Sequence, residues 1–146
     1  MNKICKSAWI TMAVLQLLTG ALHTLSFIAE PEAQDETGRQ FLHLMMTYKA
    51  SLGAGFYRTT FQIFTALSAC FTLLYLLAGI TNIYLMRAKA PMHLLHGMAG
   101  IQVIVLGTCF AIMAALTFLP PIVFTGLCLM ACILAWLATR PVISQQ

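Results

Sequence analysis

Residues Thr60 to Met86 read TFQIFTALSACFTLLYLLAGITNIYLM, twenty-seven consecutive positions without a charged side chain. At ~1.5 Å of rise per residue a helix of that length exceeds the ~30 Å of a bilayer's hydrocarbon core. In lipid every backbone N–H and C=O must be paired inside the segment, so the run is expected to be an α-helix. Arg87 and Lys89 close it and Pro91 ends it. Upstream, Ala8 to Ala29 is a second run free of charge, and downstream Met92 to Leu119 and Ile122 to Thr139 are a third and a fourth. Pro120 and Pro121 are expected to form a tight turn between those last two.

The remaining composition agrees with this reading. Of 146 residues, 60% are hydrophobic and 8% charged, and the mean hydropathy is +0.87. A water-soluble domain keeps about a quarter of its residues charged, so a soluble globule is excluded. The first run is longer than a signal-peptide core, and Phe27 is too bulky for the position three before a cleavage point at Ala29, so the helix is expected to stay attached. The fold expected for residues 1–146 is one all-α integral membrane domain. Its spans at 8–29, 60–86, 92–119 and 122–139 form an antiparallel four-helix bundle.

Lys3, Lys6, Arg87, Lys89 and Arg140 fall on one side of this layout, while all four acids and Arg39, Lys49 and Arg58 fall on the other. The positive-inside rule puts both termini in the cytoplasm. The outer connection, 30–59, begins polar and turns apolar and aromatic from Phe41 onward. Its second half is expected to be an interfacial helix lying on the outer leaflet or capping the bundle, broken at Gly53 and Gly55. No basic run suits nucleic acid, and five cysteines without Cys-x-x-Cys spacing do not make a disulfide framework.

Small or polar side chains at helical spacing point into a membrane bundle. Met12, Gln16, Thr19, His23 and Ser26 form one such line, and Thr65, Ser68, Thr72, Tyr75, Gly79 and Asn82 a second. His93, His96, Gly100, Gly107, Ala111 and Ala114 make the third, and Thr125, Cys128, Cys132, Ala135 and Thr139 the fourth, which leaves Leu129, Ile133 and Trp136 for lipid. His23 is the one ionisable side chain deep within a span, hence the first functional candidate. The tentative ligand-binding set is His23, Gln16, Ser68, Thr72, Tyr75 and Arg58, with Arg58 placed to meet a phosphate or carboxylate headgroup. His23 and the pair His93 and His96 differ in depth by ~20 Å at the helical rise, too far to share a metal. No span contains Asp or Glu, which excludes paired-carboxylate chemistry. No catalytic residue, metal or cofactor is assigned.

TGALHTLSF (19–27) and YRTTFQIFTALSACFTLLYLLAG (57–79) resemble small uncharacterised four-span bacterial membrane proteins with a Gly-x-x-His element in the first helix, here Gly20 to His23. The resemblance covers roughly residues 15 to 85 and implies the four-span fold in a bacterial inner membrane, without an activity. In helix plan the chain is also similar to DoxX-like proteins and to the membrane enzymes of eicosanoid and glutathione metabolism, from which it departs in having no arginine within its spans. The function expected is binding of a lipid-like or quinone-like ligand, or service as an accessory subunit of a membrane assembly. The alternative is a membrane-embedded enzyme acting on an amphiphile with His23 as acid or base. Expected partners are the lipid bilayer, an amphiphilic ligand, and a second copy or another membrane subunit.

Overall fold

The computed structural model describes residues 3–25 and 32–140. In order these form α1 (Lys3–Thr24), α2 (Glu36–Thr47), β1 (Lys49–Ser51), β2 (Tyr57–Thr59), α3 (Thr60–Arg87), α4 (Met92–Leu116) and α5 (Leu119–Ala138). Of these, α1, α3, α4 and α5 are long and apolar enough to span a membrane.

Helix ends differ from the charge-free runs for identifiable reasons. The first helix begins at Lys3 rather than Ala8, because Lys3 and Lys6 are exposed and their long side chains can extend away from the apolar span. Ser26 and Ala29 lie outside the described residues. Pro120 and Pro121 do not form a turn; they occupy the first turn of α5, behind Phe118 as N-cap. The first N–H groups of a helix have no intrahelical acceptor, so proline forfeits no bond there. The chain turns instead at Thr117, whose hydroxyl donates to Met113 O at 2.7 Å.

The chain divides into two compact units, Met1–Thr19 with Tyr75–Gln146, and Gly20–Leu74. In the second, α2 starts at Asp35, whose carboxylate accepts the Gly38 N–H at 2.6 Å. Phe41, Leu44, Met45 and Tyr48 share one side of this helix and its end, and Glu36, Gln40 and His43 the other; none of its residues is buried. An antiparallel hairpin follows, pairing Lys49 with Thr59, Ala50 with Arg58 and Ser51 with Tyr57. The helix expected for the second half of this connection therefore stops at Thr47, and strands take its place. Gly53 and Gly55 supply left-handed backbone (φ 87° and 81°) on either side of Ala54 (φ 47°), which lets the chain reverse. A reciprocal cap then launches α3. Thr59 Oγ1 accepts the Gln62 N–H (3.2 Å), and Gln62 Oε1 accepts the Thr59 N–H (3.0 Å).

In the first unit α4 and α5 form an antiparallel pair. A Cβ on Gly100 would meet Trp136 Nε1 at 3.2 Å, one on Gly107 would meet Leu129 at 3.9 Å, and one on Gly126 would meet Phe110 at 3.1 Å. Positions advance on α4 as they recede on α5. The glycine line of α4 therefore packs against α5, and Leu129 and Trp136 pack on it instead of facing lipid. The buried positions of α4 are Leu95, Ala99 and Leu106, a different line from the expected one. Its far end departs furthest, since Ala111 and Ala114 are exposed. On α1 the buried line extends two turns further toward the N-terminus than the sequence suggested, through Cys5 and Trp9 to Met12, Gln16 and Thr19. On α5 the expected residues Thr125, Cys128, Cys132, Ala135 and Thr139 are all buried.

Candidate functional site

At the centre of the first unit, one amide from each of three helices converges. Asn82 Nδ2 on α3 donates to Gln16 Oε1 on α1 at 2.7 Å and to Gln102 Oε1 on α4 at 3.1 Å. Gln102 Nε2 donates back to Asn82 Oδ1 at 2.8 Å, and Gln16 Nε2 donates to Gln102 Oε1 at 2.7 Å. From α5, the Cys132 thiol accepts from Gln16 Nε2 at 3.6 Å. Every amide oxygen has a donor and every amide nitrogen an acceptor within the group. Asn82 is fully buried and Gln16 nearly so.

Such closure follows from the solvent. A carboxamide moved into hydrocarbon with no partner costs about 4–8 kcal/mol, so amides in spans must find one another. The cluster ties four helices together and uses most of its own hydrogen-bonding capacity, leaving one N–H of the half-buried Gln102 amide without a partner among the described residues. The same pattern recurs beside it, where the Thr19 hydroxyl and the Cys128 thiol hydrogen-bond at 3.3 Å. The Tyr75 hydroxyl lies beside Thr125 and Cys109.

The expected ligand set is distributed over both units. Gln16 belongs to the amide cluster, and Tyr75, also in the first unit, is buried. His23, Ser68, Thr72 and Arg58 lie in the second. There His23 is half-buried and meets Phe71 edge-on, ring centroids 5.2 Å apart. Ser68 is half-buried. Thr72 Oγ1 is buried and has no hydrogen-bond partner among the described residues, so it does not hold the His23 ring. Arg58 is exposed; its Nη1 donates to Tyr57 O at 2.9 Å and its guanidinium stands 6.0 Å from the Phe56 ring centre. Beneath it runs a groove along α3 lined by Gln62, Ile63, Ala66 and Leu67. A second groove, in the first unit, lies between α1 and α3, and a third follows the polar side of α2. His23 lines none of these three.

The remaining candidates have packing partners. His96 stacks on Trp136, and its Nδ1–H points at Trp136 O, 3.1 Å away. His93 is exposed. Among the described residues no three His, Cys, Asp or Glu side chains come together as a metal would require. None of the five cysteines is in a disulfide; Cys70 is exposed, and Cys5, Cys128 and Cys132 are buried.

Gln102 is the central residue that sequence reasoning missed. Its signal was present, a carboxamide inside an apolar helix of 25 residues. The glycine line on a different side of α4 drew the inference away from it. Trp9 was missed as well. It is fully buried, with Nε1 unpartnered among the described residues. In comparisons with known proteins, no family model matches the chain, and no curated protein or solved structure matches it either.

Proposed function

We propose that the chain is a non-enzymatic polytopic membrane protein that binds a lipid-like or quinone-like amphiphile on its surface. In this reading its four spans form an antiparallel bundle, held at the centre by the amide cluster, with both termini cytoplasmic. One observation carries the reading: Gln16, Asn82 and Gln102 satisfy one another, so the polar side chains inside the spans have a structural use. Binding then falls to the outside, where Arg58 heads an apolar groove on α3. The positive-inside rule supports the orientation, through Lys3, Lys6, Arg87, Lys89 and Arg140.

Native mass spectrometry of the protein purified in mild detergent measures this. The wild type is expected to retain a small amphiphile, and His23→Ala to retain it equally, since the ligand sits outside the spans' polar seam. A wild type that carries nothing would overturn the proposal. A molecule released by His23→Ala would transfer the assignment to an interior site built on that histidine.

A further inference from the structure

The groove between α1 and α3 brings two cations from different helices to apolar walls. Lys6 and Arg87, from different helices, both line it, and Ile10, Val14, Ile83 and Met86 complete its walls. From Lys6 to Val14 it follows α1 for about 12 Å at the helical rise. The helices can approach this closely because Gly79 has no side chain; a Cβ there would stand 3.1 Å from Ala13 O. Neither cation has a carboxylate partner, since the one salt bridge among the described residues is Arg39 with Glu36 in α2. Two exposed cations without a carboxylate partner, beside an apolar cleft on helices long and apolar enough to cross a bilayer, are complementary to an anion attached to a hydrocarbon chain.

We infer that this groove is a binding site for an anionic glycerophospholipid, its phosphate held by Arg87 and Lys6 and one acyl chain lying along Ile10, Val14 and Ile83. The guanidinium presents a planar fork that can take two phosphate oxygens, and the lysine adds a point charge. Basic pockets between spans recognise phospholipid headgroups by this chemistry. A soluble anion would gain nothing from the apolar walls, and a neutral lipid would leave the two charges uncompensated. The site goes beyond the Arg58 groove, with which it shares no residue.

The test is titration of the delipidated full-length protein with dioleoylphosphatidylglycerol and, separately, dioleoylphosphatidylcholine, counting adducts by native mass spectrometry. The wild type is expected to bind the anionic lipid at least ~10-fold more tightly. A Lys6→Gln, Arg87→Gln double variant should lose that preference, with binding weakened by ~10–100-fold, as expected for hydrogen bonds to charged groups. Val14→Trp keeps both cations and fills the cleft, so it should lose the tight adduct too, whereas diffuse surface attraction would survive it. Arg58→Gln should leave this adduct in place. Equal affinity for the two lipids in the wild type, or unchanged phosphatidylglycerol binding in the double variant, overturns the site. Phosphatidylglycerol retained by the double variant and released by Arg58→Gln would overturn it as well, while leaving the general amphiphile-binding proposal standing.

Discussion

Asn82→Leu is expected to destabilise the folded protein by about 2–6 kcal/mol, because it orphans two groups at a cost of about 1–3 kcal/mol each. Among the described residues, Gln16 Oε1 accepts only from Asn82, and Gln102 Nε2 donates only to Asn82. Leucine supplies neither a donor nor an acceptor. Removing all three amides together, as Gln16→Leu, Asn82→Leu and Gln102→Leu, should cost far less than Asn82→Leu alone, since no polar group is then left unpaired. Unfolding followed by circular dichroism in mixed micelles, with a denaturing detergent as the variable, resolves both. A single variant within about 0.5 kcal/mol of wild type, inside the range of an unremarkable surface substitution, would mean that the amides do not depend on one another.

The second large effect concerns contact between α1 and α3 in the first unit. Gly79→Ala puts a methyl 2.7 Å from Leu17 Cγ, 2.8 Å from its Cδ2 and 3.1 Å from Ala13 O. The side chain alone could turn aside, but the carbonyl belongs to the helix backbone and can move only with it. Overpacking of this kind costs about 1–3 kcal/mol. Pairing the change with Leu17→Ala removes the closest clash, so the double variant should recover much of the loss in the same unfolding assay. A double variant as unstable as the sum of its parts would show that the two residues are not in contact.

Much of this architecture was legible because lipid imposes a simple rule on a sequence. The run from Thr60 to Met86 had to be a helix, since nothing else pairs its backbone, and α3 covers it. Thr72, Tyr75, Gly79 and Asn82 could be assigned to one face because polar and small groups are costly or uninformative toward lipid, and all four are buried. The rule fails where two faces of one helix are both occupied. On α4 the glycines mark contact with α5, while Gln102 serves the amide cluster from another side, and periodicity alone ranks the glycines first. It fails also between spans. Three-residue strands such as Lys49–Ser51 and Tyr57–Thr59 are too short for an alternating pattern, although Gly53 and Gly55 did mark the reversal.

The functional candidates were legible as residue types and not as a constellation. His23 stands out in any reading of the sequence because it is ionisable within a span. Its neighbour, however, is the edge of Phe71, an apolar ring that no spacing argument selects. Gln16 stands out less, yet its amide bonds to side chains on α3, α4 and α5. The cations at Lys6 and Arg87 read in sequence only as orientation signals. Placing them beside the same cleft requires the close approach at Gly79, which is a property of the packed helices.

The surface-binding reading depends on the amide cluster being closed and dry. Proton exchange with water at the side-chain amides of Gln16, Asn82 and Gln102, followed by NMR on selectively labelled protein in micelles, reports on that condition. Slow exchange at all three, with cross-peaks among the amides and none to water, is the expected result. Rapid exchange, or direct water contacts at Gln102, would contradict it and show that the polar interior is a hydrated cavity open to a ligand.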